Sequence, residues 1–185
     1  MLSSFLIALR EGLEAFLVLG IVISYLVKIG ERRYVKNVIY GAIIAIALSI
    51  GLAYVFQLFL GGFEGRIEEV FEGIVMLLAV VVLTYMIFWM NRQAKNIRSE
   101  IEQTVDTAVN KGKIFGLIFL GFIVVFREGA ETVLFFRAIS YQTNSSELLL
   151  GGTLGILTSI ILALVFFLST RKINLSAFFK FTGIL

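Results

Sequence analysis

Five runs of about twenty or more predominantly apolar residues, at 4–28, 38–60, 69–90, 114–139 and 148–169, constrain this chain more than any other feature. A hydrocarbon core about 30 Å thick is crossed by roughly 20 apolar residues in a helix, and in lipid a helix satisfies all of its own backbone polar groups. The runs therefore predict five complete transmembrane helices within 185 residues. Composition agrees: 59% of residues are hydrophobic, 16% are charged and mean hydropathy is +0.97, outside the range of a soluble domain. The first run is not read as a signal peptide. Its basic flank follows it, and Arg10, Glu11 and Glu14 interrupt what would be an uncharged segment.

The chain has no Cys, His or Pro. That excludes a disulfide framework, thiolate or imidazole metal sites, and catalysis by a Cys or His nucleophile or base. Any side-chain metal ligands must be mainly oxygen.

Net charge is +3, and its placement matters more than its sum. Lys28, Arg32, Arg33 and Lys36 follow the first run, Arg92, Lys95, Arg98, Lys111 and Lys113 the third, and Arg171 and Lys172 the fifth. The alternate loops carry only Arg66 and, nearby, Arg137. The positive-inside rule makes the basic loops cytoplasmic and puts the N-terminus and the 61–67 and 140–147 loops outside. The basic excess is thus a topology signal, and nucleic acid is not an expected partner. Segment 91–113, polar and mixed in charge, is expected to be a cytoplasmic connector, helical in part. Trp89, Tyr85 and Tyr34 fall near cytoplasmic ends of spans, where aromatic residues anchor helices.

An internal repeat organises the chain. REGLE at 10–14 recurs as REGAE at 127–131, and GAIIAIALSIGLAYVF at 41–56 aligns without gaps on GGTLGILTSIILALVF at 151–166, with about half of the positions identical. The first run crosses inward and the fourth outward, so the two halves are inverted, as in many secondary transporters with a midplane site. The expected fold is an all-α polytopic helix bundle: a three-helix repeat over 1–90, the connector over 91–113, and an inverted repeat over 114–185. Setting FEGIV at 71–75 against FTGIL at 181–185 implies that the second repeat stops early in a sixth helix, with a C-terminal part missing.

Arg10, Glu11 and Glu14 lie well inside the first run, and Arg127, Glu128 and Glu131 near the middle of the fourth. Each such residue costs about 2.5–3.5 kcal/mol at the centre of a spanning helix, so six argue for a function. Helical spacing puts both glutamates of a motif on one face, with the arginine four residues before the second. Gly12 and Gly129 allow a neighbouring helix to approach closely. Ser49 and Ser159, matched across the repeat, are read as helix-packing or interhelical hydrogen-bonding residues. The plain alternative is that each arginine pairs with its i+4 glutamate and the pairs only hold helices together; it leaves Glu11 and Glu128 without partners. Four carboxylates against two arginines leave an excess of negative charge that favours a cation. Oxygen ligands suit hard cations, among them ferric iron, manganese, magnesium and calcium. Glu72, one turn inside the third run, could join the same cavity. Glu64, Glu68 and Glu69 form either a funnel at the outer mouth or a solvated helix end.

REGLE, REGAE and the third run, FEGIVMLLAVVVLTYMIFWM, resemble the high-affinity, oxidase-dependent iron permease family along essentially the whole chain. The resemblance implies uptake of iron as the ferric ion after oxidation by a partner, either a ferroxidase or an extracytoplasmic iron-delivery protein. It implies that Glu11, Glu14, Glu128 and Glu131 bind iron, with Glu72 accessory and Arg10 and Arg127 holding the carboxylates. It also implies a multi-pass protein of the cell membrane that carries iron as substrate, with no permanently bound cofactor and no enzymatic activity. Members usually continue through a seventh helix, beyond the length of this chain. Oligomerisation, a permease for lead or manganese, a proton pathway, and a non-transporting membrane subunit built on structural Arg–Glu pairs remain open.

Overall fold

The computed structural model describes residues 1–60, 66–93, 97–110, 112, 114–140 and 143–168, and all the regular structure among them is helical. The apolar runs form α1 (Leu2–Lys28), α2 (Val35–Leu60), α3 (Arg66–Gln93), α5 (Ile114–Ser140) and α6 (Ser145–Leu168), and the connector contributes α4 (Ile97–Asn110). FTGIL at 181–185, on which the expected sixth span rests, lies outside the described residues.

The fold is an all-α membrane bundle whose helices differ in what they bury. α2 and α6 are long and apolar enough to cross a membrane by composition alone, with mean hydropathies of 2.3 and 2.4 over their spans. They turn Ile43, Ile46, Ile50, Tyr54, Leu157, Ile161 and Leu164 outward, an apolar surface of the kind that faces lipid. α3 likewise exposes Val70, Ile74, Leu77, Val81 and Phe88. α1 is buried along most of its length, from Ser4 and Ala8 through Glu11, Glu14 and Leu17 to Val22 and Leu26. It packs on α6 and α5 and α2 packs on α5, so each half is joined to the other through its motif helix.

Glycines at equivalent points of the sequence repeat make equivalent contacts. A Cβ on Gly41 of α2 would run into the Ile118 carbonyl of α5, and one on Gly151 of α6 into the Met1 carbonyl at the start of α1. The backbones touch at these points, which only a residue without Cβ permits.

The connector is more than a tether. α4 lays Ile101 and Val105 into a buried cluster with Val22 and Leu26 of α1, Val38 of α2 and Leu117 of α5. Asp106 accepts a hydrogen bond from Tyr25 Oη of α1 at 2.7 Å. Gly112, at φ +60°, makes the turn from α4 into α5 in the left-handed region that glycine favours. Tyr25→Phe is expected to lower stability by about 1 kcal/mol, the net worth of a hydrogen bond that leaves a half-buried acceptor behind. Thermal unfolding in detergent measures it, and an unchanged midpoint would mean that α4 docks through its apolar residues alone.

Candidate cation site

The two motifs meet where α1 crosses α5. Both motif helices give up a side chain at their glycine so that a serine can fit against it. A Cβ on Gly12 would overlap Ser159 Oγ and sit 3.0 Å from Ser159 Cβ; one on Gly129 would overlap Ser49 Oγ and sit 2.8 Å from Ser49 Cβ. These contacts clamp α6 to α1 and α2 to α5 at the level of the motifs. The packing role read for Ser49 and Ser159 from the sequence is therefore seen, but no interhelical hydrogen bond is: Ser159 Oγ donates to Ile156 O in its own helix, and Ser49 Oγ has no hydrogen-bond partner among the described residues.

The arginines do not pair one to one. Arg10 lies 3.3 Å from Glu14 through Nε and 3.3 Å from Glu11 through a terminal nitrogen. Arg127 Nε lies 3.3 Å from Glu128 and 3.2 Å from Glu131. The expectation that simple i+4 pairing strands Glu11 and Glu128 does not hold, because a side chain as long as arginine's sets its planar guanidinium between two carboxylates.

Across the helix crossing, one carboxylate oxygen each from Glu11, Glu128 and Glu131 lies within 4.8 Å of the others. The approach of Glu11 to Glu128 across the crossing is made by these same oxygens. Glu11 and Glu128 are buried and Glu131 is nearly so. Glu11 Oε2, Glu128 Oε2 and Glu131 Oε2 receive no hydrogen bond from any donor among the described residues. Buried oxygens left this way are costly, and a cation removes the cost. Oxygens 2.0–2.6 Å from a common ion are at most about 4–5 Å apart, so the trio is of a size to close on one.

Glu14 stands beside this trio. It is buried, held by Arg10 and within electrostatic reach of Glu128, Arg127 and Glu131. Among the described residues the site thus combines three convergent ligand candidates, one adjacent carboxylate and two arginines, leaving two more negative than positive groups. Glu72 lies on α3, as do Glu68 and Glu69, but their side chains fall outside the described residues, as does Glu64 altogether. Sequence reading missed the Tyr25–Asp106 bond. Its only signal was that Tyr25 follows Glu14, Val18 and Val22 at helical spacing along one side of α1.

The family model described as the iron permease FTR1 family matches residues 1–185. The chain belongs to this family. It is similar to the ferrous iron permease EfeU of Escherichia coli O6:H1 strain CFT073, 38% identical over 186 residues that take in 100% of this chain and 67% of the relative. EfeU of Yersinia pestis is 33% identical over 186 residues, covering 100% of this chain and 66% of the relative. The chain spans about two thirds of the length of these relatives. No solved structure matches it. A family of permeases makes this an integral membrane protein.

Proposed function

We propose that this chain is the membrane-spanning body of an iron permease, and that iron passes through the carboxylates of Glu11, Glu128 and Glu131. The observation that carries the proposal is the convergence of these three from the two motif helices. Membership of the iron permease family supplies the identity of the ion. Glu14 serves as a neighbouring station or electrostatic support, Glu72 as an accessory ligand from α3, and Glu64, Glu68 and Glu69 as an acidic outer mouth.

The ion at this site is proposed to be ferric. Three carboxylate oxygens with no softer donor favour a hard, highly charged cation. The relatives are named ferrous iron permeases, and both are satisfied if ferrous iron is oxidised by an extracytoplasmic partner before it reaches the glutamates. The topology that goes with this reading is a multi-pass protein of the cell membrane with the N-terminus outside and α4 in the cytoplasm, the two halves inverted about the site. Iron is the substrate in this scheme, and no resident cofactor is invoked.

The test is equilibrium binding of iron to the purified full-length protein, with ferrous iron under anaerobic conditions and ferric iron as a citrate complex in parallel. Tighter ferric binding is expected. Preferential ferrous binding overturns the ferric assignment. Absence of both places the protein with non-transporting membrane subunits whose Arg–Glu contacts serve assembly.

A further inference from the structure

We infer that the bundle works as two rigid bodies that cut across the sequence repeat, α1 with α6 and α2 with α5, and that an ion passes when one body rocks against the other about the glutamates. The inference deepens the permease reading and rests on it.

Within each pair the helices touch at or next to their backbones. A Cβ on Gly151 of α6 would overlap Ser4 Oγ and the Met1 carbonyl of α1, one on Gly155 would sit 2.8 Å from Ala8 Cβ, and one on Gly12 of α1 would overlap Ser159 Oγ. Ser4 Oγ also donates to the Glu147 carbonyl at 3.3 Å, and the α-amino group of Met1 lies 3.2 Å from the Glu147 carboxylate. These contacts advance together along α1 and α6, so the two helices lie parallel. α2 and α5 repeat the pattern: a Cβ on Gly41 would overlap the Ile118 carbonyl, one on Gly121 the Val38 carbonyl, and one on Gly129 Ser49 Oγ. Gly12 and Gly129, Gly41 and Gly151, and Ser49 and Ser159 hold equal places in the repeat. Each body is therefore a copy of one helix pair, built from the motif helix of one half and the second helix of the other.

Between the bodies the packing is of another kind. A Cβ on Gly152 of α6 meets α5 at the edge of the Phe136 ring, 2.7 Å away, and a ring swings aside about its side-chain torsions where a carbonyl cannot. Toward α4 the space where α1, α2 and α5 converge is filled by Val22, Leu26, Val38 and Leu117, with Ile101 and Val105 of α4 laid over them. Packed apolar side chains of this sort are the surfaces over which helices slide in domain closure.

The ion site spans the joint. Glu11 comes from one body, and Glu128 and Glu131 from the other. A cation held by all three ties the bodies together, and its arrival or departure shifts the position that one takes against the other.

The decisive measurement bridges pairs of introduced cysteines in the full-length protein with a cleavable bis-maleimide, the chain described here having no cysteine of its own. Leu2 with Leu149 ties α1 to α6, Tyr40 with Phe115 ties α2 to α5, and Val27 with Phe115 ties one body to the other; all five residues are exposed. Iron uptake into proteoliposomes is compared before bridging, after it and after cleavage. The first two bridges are expected to leave uptake within about twofold, whereas the third lowers it by about tenfold or more until it is cleaved, as a carrier that must rock requires. Rocking of the sequence halves would instead make the α1–α6 and α2–α5 bridges block uptake. That result, or a harmless Val27–Phe115 bridge, overturns the inference and leaves the permease reading standing.

Distances give a second readout. Spin labels on the same two within-body pairs, and on Leu2 with Leu58 for α1–α2 and Phe115 with Leu164 for α5–α6, are measured with and without gallium citrate, gallium being a diamagnetic ion of ferric charge shown beforehand to compete with iron. The α1–α2 and α5–α6 distances are expected to shift by several ångströms and the α1–α6 and α2–α5 distances to stay fixed. The opposite pattern, or four fixed distances, overturns the two-body assignment. Wild-type protein that neither binds nor transports iron removes the permease reading and this inference with it.

Discussion

Glu128→Gln is expected to abolish iron binding at micromolar metal while leaving the protein folded, whereas Glu14→Gln is expected to weaken binding only modestly. Glu128 has a buried, unpartnered oxygen at the proposed cation position, and one of its oxygens lies within 4.8 Å of one from Glu11 across the helix crossing. Removing one charge of a buried, desolvated cluster costs about 2–5 kcal/mol of binding, or about 30- to several-thousand-fold in affinity. Glutamine keeps the shape and one carbonyl oxygen, and Arg127 retains Glu131, so the helix crossing stays packed. Glu14 is outside the trio and acts on the ion through the field and through Arg10, where losses of about tenfold are usual for supporting groups. Titrations of both variants, with unfolding curves alongside, check the order. Equal losses would mean that the ion sits among all four glutamates, as the symmetric reading of the sequence had it.

That symmetric reading shows what the chain discloses without a structure. Charged residues in the middle of apolar runs are so unfavourable that REGLE and REGAE had to face the protein interior, and the helical spacing of Glu11 and Glu14 put both on one side. The departure from symmetry was hidden. Repeat-equivalent residues are identical in type, and nothing in the letters tells Arg10, enclosed between Glu11 and Glu14, from Arg127, which stands partly open beside Glu128 and Glu131. Such differences arise from packing between helices, which the local spacing rules of one helix do not contain.

The connector was hidden for another reason. In 91–113 the charges dominate the composition and suggest a solvated link. The two residues that matter, Ile101 and Val105, are one helical turn apart and are read as a docking stripe only once α4 lies against α1 and α5. An amphipathic segment of one short helix announces that it packs without saying where. The spans differ in this respect, since lipid supplies one partner for every apolar face.

Gly129→Ala is expected to lower iron uptake severely and to be rescued by Ser49→Gly. The added Cβ would overlap Ser49 Oγ and lie 2.8 Å from Ser49 Cβ, well inside van der Waals contact, and Ser49 is buried on a helix that cannot yield by rotating a long side chain. α2 must instead move away from α5. Overpacking of this kind costs about 1–3 kcal/mol, and here it also shifts the helix that carries Glu128 and Glu131, two of the three proposed ligands. Removing the serine side chain reopens the gap, so the double variant should regain most of the lost stability and uptake. Gly12→Ala should behave in the same way with Ser159→Gly, whose Cβ lies 3.0 Å from the added atom. The rescues should not cross over, because contacts on separate helix pairs are close to additive while a touching pair is coupled. A full double-mutant matrix, read by unfolding midpoint and by uptake, decides the matter: rescue of Gly129→Ala by Ser159→Gly, or by neither serine variant, would show that α2 and α5 are not the helices clamped together beside the second motif.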